Sequence, residues 1–148
     1  MLLQNMAELH VGYSDSVPVA MALTGRLSSE QVMIIDYLTV TAGKRNRGLG
    51  RFFVDYLVKK SMIEDYNKVI IEVESEETKE NKARIQFWKN CGFLFTDYIH
   101  HYIWVPEPYH AMYYPISISS AEQNKVTGEE LFTYINKFHR LCFRGGKE

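Results

Sequence analysis

The sequence predicts an α/β fold on a mixed sheet, and three observations support that prediction. Residues 8–40 hold three apolar runs joined by short turns, which implies an antiparallel meander. A glycine-rich turn at 48–50 then opens a helix, and a strand returns at 68–74. Strand, helix and strand make a right-handed βαβ crossover with parallel flanks. A chain of 148 residues suits one domain with a sizeable core.

The run at 8–13 ends in Ser14-Asp15-Ser16, a turn by composition. A second run at 17–23 closes on Thr24-Gly25 and the polar Ser28-Ser29-Glu30. The third, at 31–40, carries Val32, Ile34, Ile35, Leu38 and Val40 and is nearly continuous in apolar character, as a central strand covered on both faces is. From Leu49, apolar residues recur at Phe53, Tyr56 and Leu57, on one face of a helix. Lys59 and Lys60 fall in its last turns, where cations suit the helix dipole. In 68–74, Val69, Ile71 and Val73 alternate with Ile70, Glu72 and Glu74. A charged stretch leads into a short helix at 81–90, which Gly92 ends. Strands are expected at 93–105 and 110–118, separated by Pro106-Glu107-Pro108. Thr127-Gly128-Glu129-Glu130 reads as a capping box for a last helix, whose apolar stripe is Leu131, Tyr134, Ile135, Phe138 and Leu141. The chain 1–148 is read as one domain, with a core at 8–118 and a C-terminal helix at 127–144.

Composition removes several classes of function. Hydrophobic residues make up 46% and charged residues 24%, which is neither a disordered chain nor a membrane protein. A net charge of -1 excludes a protein built mainly to grip nucleic acid. Cys91 and Cys142 make no disulfide framework and fall in no metal-ligand spacing. No apolar run approaches the roughly 20 residues of a membrane helix, and the first residues lack the basic flank of a signal peptide. A cytoplasmic protein with neither membrane nor nucleic-acid partner is expected.

The turn at 45–50 is where chemistry enters. A glycine-rich turn running from a buried strand into a helix is an anion site, because backbone N–H groups converge there and the helix dipole adds positive potential. Lys44, Arg45, Arg47 and Arg51 surround it, so the ligand should be a polyanion. Dinucleotide and nucleotide-triphosphate fingerprints do not match: no third glycine lies in 51–54, and no G-K-[ST] follows.

The stretch Val40-Thr41-Ala42-Gly43-Lys44-Arg45-Asn46-Arg47-Gly48-Leu49-Gly50 resembles the coenzyme-A motif of the GNAT N-acetyltransferase superfamily, R/Q-x-x-G-x-G/A. A second block at 81–93 is similar to that family's later helix, which runs from an Asn to a Gly-Phe pair. Arg84-Ile85-Gln86-Phe87-Trp88 and Gly92-Phe93 match a bacterial branch. The resemblance spans 8 to about 118. It implies a GNAT-like acyl-CoA N-acyltransferase fold, short at its N-terminus because the first strand and first helices are not recognised, with an extra C-terminal helix. It further implies that the strands at 31–40 and 68–74 splay apart to admit acetyl-CoA as co-substrate, with no metal. Leu38, Thr39 and Val40 would pair with the pantetheine arm. Arg45, Asn46, Arg47, Gly48, Leu49, Gly50 and Arg51 would hold the pyrophosphate. Asn81 and Trp88 on the later helix complete the coenzyme site, and Trp88 would form a packing wall. An amine would attack the thioester directly, and a backbone N–H, that of Val40, would stabilise the oxyanion.

Attack by an amine requires a base. Asp36 is the first candidate, since it interrupts an apolar central strand and a buried carboxylate is costly unless paired or useful. Glu72 and Glu74 share one strand face, and either is an alternative base or an attractor for a cationic substrate. Trp88 stands where many family members have a tyrosine acid, and indole cannot give up a proton at useful pH. Tyr98, Tyr102 or water are the substitutes. The five histidines are read as structural or surface residues, and the adjacent His100 and His101, facing opposite ways on a strand, cannot jointly hold one metal.

Two functions are therefore expected of this sequence: acetyl transfer to a primary amine on a small molecule or peptide, or a non-catalytic acyl-CoA-binding or interaction module. The acceptor pocket is open, completed by another chain, or covered by the C-terminal helix. A homodimer through the 8–13 edge or that helix is expected, because an edge strand with little charge invites pairing.

Overall fold

The computed structural model describes residues 6–44 and 48–143. Its strands are β1 (Ala7–Ser14), β2 (Val17–Leu27), β3 (Val32–Val40), β4 (Lys68–Glu74), β5 (Leu94–Phe95) and β6 (Tyr109–Pro115). They form one sheet in the order β1-β2-β3-β4-β6-β5. The meander β1–β3 is antiparallel, β3 and β4 are parallel, and β4 pairs antiparallel with β6. The helices are α1 (Leu49–Ile63), α2 (Lys79–Asn90), the short α3 (Ser120–Gln123) and α4 (Gly128–Phe143). This is the mixed α/β architecture that the sequence predicts.

Each face of the sheet has its own core. On one side, Met33, Ile35, Val69, Ile71 and Val73 meet Phe53, Val54, Leu57 and Val58 of α1, with Ile85, Phe87 and Trp88 of α2 packed against them. Tyr56, read from its spacing as part of the α1 stripe, is instead exposed, and Val54 and Val58 take the inner positions. On the other side, Val32, Ile34, Ile70, Ala111 and Tyr113 meet Leu131, Phe132, Ile135 and Phe138 of α4. Those four α4 side chains are almost wholly buried, and each contributes about 1.5–3 kcal/mol relative to exposure. The stripe of α4 therefore finds its surface on its own domain, which removes the helix as a free dimer interface. Thr127 Oγ1 accepts from the Glu130 N–H at the start of α4, and an ion pair between Lys137 and Glu30 fastens the helix to the β2–β3 turn.

Two expectations are corrected. The strand at 93–105 is confined to β5, and the strand at 110–118 ends at Pro115. Beyond Phe95 the chain leaves the ladder, returns for one bridge between His100 and Tyr109, and turns Tyr98 and Tyr102 toward the α4 core. Packing against a helix has overridden a strand-like run of aromatic and β-branched residues. The short α3, opened by a capping box between Ser119 and Glu122, is a further element that periodicity does not mark.

One irregularity positions the site. Leu23 pairs with Tyr37, but the next residue of β2, Thr24, pairs with Ile35. Asp36 is thus the extra residue of a β-bulge. The bulge reverses the side-chain parity of β3: Met33 and Ile35 face α1 before it, and Leu38 and Val40 do so after it.

Candidate active site

The parallel pairing of β3 with β4 runs only from Val32–Lys68 to Ile34–Ile70. Beyond that point β3 stays with β2 and β4 with β6, so the two strands diverge. The resemblance implied this splay, and the bulge at Asp36 accompanies it. Leu38, Thr39 and Val40 lie on β3 past the last β3–β4 pair, along the opening.

On the α4 side of that opening, three elements bring a titratable cluster together. Asp36 comes from the bulge of β3, Glu72 from β4 and His139 from α4. His139 Nε2 lies 3.1 Å from Asp36 Oδ1 and 4.0 Å from Glu72 Oε2. The Tyr102 hydroxyl donates to Glu72 Oε1 at 2.9 Å. Around the cluster is an open cleft of about 850 Å³, walled by His100, Tyr102, Trp104 and Tyr109 and, from α4, by Asn136, His139 and Arg140. Its size and mixed aromatic and polar lining suit a small ligand.

Environment sets the protonation states. Burial raises the Glu72 carboxyl; the Tyr102 hydrogen bond and the His139 charge oppose this, Asp36 adds to it, and the net shift is upward. Burial alone would lower the His139 imidazole, but the Asp36 hydrogen bond and the Asp36 and Glu72 charges override it and raise its pKa. Burial, followed by the Glu72 charge and hydrogen bond, raises the Tyr102 phenol. Tyr102 is accordingly a donor that orients Glu72, and a poor proton source for a leaving thiolate. A perturbed group in a cleft, with a charged partner, is a candidate functional site. The Asp36, Glu72 and His139 ligand atoms also lie within 4.8 Å of one another, near enough to offer a cation three donors.

The other expected residues are arranged around the helix ends. Gly48 caps α1 with φ 77, in the left-handed region that favours glycine. Among the described residues, a Cβ at Gly48 would meet nothing within 4 Å. Leu49, Gly50 and Arg51 form the first turn of α1, and the Arg51 side chain is exposed. Arg45, Asn46 and Arg47 fall outside the described residues. Asn81 is buried near the start of α2, where its amide donates to the Glu76 carbonyl and accepts from Arg84. Trp88 packs edge-on between Phe87 and Phe93. Glu74 pairs loosely with Arg84 at 3.8 Å rather than joining the cluster.

His139 is the member of the cluster that the sequence did not single out: it is half-buried, and its Nε2 meets Asp36 and Glu72. Its signal was faint: Asn136, His139 and Arg140 are spaced i, i+3, i+4 beside the apolar stripe of α4, on one side of the helix. His100 and His101 do not face opposite ways on a strand, because the chain there is irregular and both border the cleft. His10 is structural, buried against Thr24.

The acetyltransferase (GNAT) family profile matches residues 3–93. None of the curated proteins matches the sequence significantly. Among solved structures, the ribosomal-protein-S18-alanine N-acetyltransferase of Escherichia coli superposes with a TM-score of 0.64 at 18% identity, over 78% of this chain and 72% of that one. A GNAT-family protein of Bacteroides thetaiotaomicron gives 0.66 at 16% identity, over 94% and 73% of the two chains. A Bacillus subtilis acetyltransferase in complex with CoA gives 0.60 at 11% identity, over 75% and 78%. At these identities the superpositions speak to fold alone; the profile match extends over more than half of the sequence and speaks to descent. The chain belongs to the acetyltransferase (GNAT) family and is an acyltransferase.

Proposed function

We propose that the protein transfers the acetyl group of acetyl-CoA to a primary amine, on a small molecule or a peptide, by direct attack. The observation that supports this reading best is the Asp36–Glu72–His139 cluster beside the splay of β3 and β4. In this reading the coenzyme lies in the splay. Leu38, Thr39 and Val40 run along its pantetheine arm, and the turn Arg45 to Arg51 holds its pyrophosphate. The B. subtilis relative bound to CoA supports the choice of donor. Asn81 fastens the approach to α2, and Trp88 backs the coenzyme.

An amine arrives as an ammonium ion, and two carboxylates attract it. Glu72, raised by burial and oriented by Tyr102, is the base that takes its proton, since a carboxylate tuned toward neutrality is the more effective acceptor. Asp36, held by His139, fixes the ammonium from the other side. The free amine attacks the thioester carbonyl, the oxyanion forms against the Val40 N–H, and the thiolate departs, protonated from the amine nitrogen through water.

Turnover tests the reading. Purified protein, acetyl-CoA and a panel of diamines, amino acids and peptides should release CoA thiol with at least one amine. Binding of acetyl-CoA without turnover across the panel would favour the non-catalytic acyl-CoA-binding module instead.

A further inference from the structure

We infer that the cleft takes a monoamine whose ammonium group is carried on a short arm from an aromatic ring, and that Trp104 is the residue that selects it. The inference rests on the acetyl-transfer reading above and names the class of acceptor, which that reading leaves open. The ammonium ion plus acetyl-CoA gives the N-acetyl amide, the CoA thiol and one proton, as for any primary amine.

One loop builds the aromatic side of the cleft. The chain departs from the sheet after His100 and rejoins it at Tyr109, and backbone hydrogen bonds between these two residues, at 2.8 and 3.0 Å, close its neck. The Ser75 N–H donates to the Pro108 carbonyl at 2.9 Å, and Pro106 and Pro108 limit the backbone of the returning arm. The His100 ring stacks on Phe132 of the α4 core at 4.3 Å, and Tyr102 stands edge-on to both His100 and Tyr109. The neck is therefore anchored. The tip nevertheless turns Ile103 and Trp104 outward, 93% and 67% exposed, at the border of the cleft. Large apolar side chains held in water beside a cavity suit a ligand groove.

The charge of the lining discriminates among amines. Its acids, Asp36 and Glu72, are gathered at one point. Among the described residues no third carboxylate lines the cleft, and α4 adds the cation Arg140. One ammonium group finds its counter-ions there. The further ammonium groups of a polyamine would meet Arg140 or the apolar wall, where an unpaired charge is costly. An α-amino acid would bring its own carboxylate against Asp36 and Glu72. A ring suits the rest of the wall. The Tyr102 hydroxyl donates to Glu72 Oε1 at 2.9 Å, so aromatic surface begins at the carboxylate itself, and Trp104 continues it toward solvent. Offset or edge-to-face packing against these side chains favours an aromatic ring over an alkyl chain of equal reach.

Matched amines test the assignment. Phenethylamine, propylamine and spermidine are compared with acetyl-CoA as donor, in the wild type and in Trp104→Ala. The expected kcat/KM for phenethylamine exceeds those for propylamine and spermidine on the order of 10-fold or more. In Trp104→Ala the phenethylamine-to-propylamine ratio should fall on the order of 10-fold. Equal or better use of propylamine or spermidine overturns the acceptor class, and an unchanged ratio in the variant overturns the role of Trp104. If the alanine variant melts below the wild type, Trp104→Leu takes its place under the same criteria. Binding is read separately, from tryptophan emission with unacetylated CoA present, since Trp88 and Trp104 are the two tryptophans of the chain. Phenethylamine should give a saturable change in the wild type that Trp104→Ala lacks. Absence of turnover with every amine overturns the acetyl-transfer reading, and the emission titration then decides the ligand class alone. A saturable change with phenethylamine and none with spermidine upholds the class; no change with phenethylamine overturns it.

Discussion

The Phe138 ring occupies the space above Gly25 so closely that a Cβ built on residue 25 would collide with it. Gly25 sits on β2 and Phe138 on α4, so a missing side chain in the meander is what lets the C-terminal helix dock. The same docking delivers His139, one residue further along, to Asp36 on β3.

Gly25→Val should therefore damage stability and activity together. Overpacking of this kind costs about 1–3 kcal/mol, and here the clash is with a side chain that is itself fully buried. Phe138→Ala, which leaves a cavity instead, should cost about 3–5 kcal/mol. Denaturant titration measures both. A Gly25→Val protein as stable as the wild type would mean that α4 does not pack as described.

The cluster should make stability fall with rising pH. His139 has a folded pKa above its usual 6.5, so its stabilising contribution is complete below that value and is lost as pH rises through the folded pKa. Glu72, raised above 4.5 by burial first, contributes with the same sign, since its ionisation also disfavours the fold. Wild-type melting temperature should drop from weakly acid to alkaline pH more steeply than that of the Glu72→Gln, His139→Gln double variant. Parallel pH profiles would break the link. In activity, kcat/KM should climb along an acid limb centred above 4.5, and Glu72→Gln should lack that limb.

Acetyl-CoA should raise the melting temperature, by about 2.7 kcal/mol of stabilisation at a hundredfold excess over Kd. Gly48→Asp should abolish the shift, because its carboxylate enters the open space beside the cap of α1. Gly48→Asn is the matched control: asparagine tolerates the left-handed φ and carries no charge. Retention of most of the shift in Asn and none in Asp isolates repulsion of a phosphate. Equal shifts in both variants would move the pyrophosphate elsewhere.

The order of elements and the glycine turn that opens α1 were legible because their signals are local. Turn residues, a periodicity of two or of 3.6, and a glycine pair next to basic residues all lie within a few positions of one another. The titratable cluster was half legible. Asp36 and Glu72 announced themselves as acids inside apolar strands, while His139 lies 103 residues from Asp36 and nothing in its own helix names that partner. Similarly, 93–105 reads as a strand because its residues favour one. Whether Tyr98 and Tyr102 join a ladder or the side of a helix depends on where α4 docks, and that in turn depends on Gly25.

The last prediction concerns β1, the margin of the sheet opposite β5. Leu9 and Tyr13 on it are 58% and 65% exposed. With Val11, they continue an apolar surface over Met21 of β2 and Tyr37 of β3, which α4 leaves uncovered. The strand's charged residue, Glu8, is turned to the other face, where Arg26 and Lys60 neutralise it. Edges are usually protected by charge, proline or a covering element, and an antiparallel β1–β1 pairing between two copies would extend the sheet and bury the flanking residues in a self-complementary contact. We therefore expect a homodimer through β1 and not through α4, whose stripe is already buried. Sedimentation at micromolar concentration should give twice the chain mass of 17.3 kDa, and Val11→Lys should return the monomer without lowering the melting temperature of the domain itself. A wild-type protein that sediments as a monomer overturns the pairing. A dimer that persists in Val11→Lys moves it away from β1.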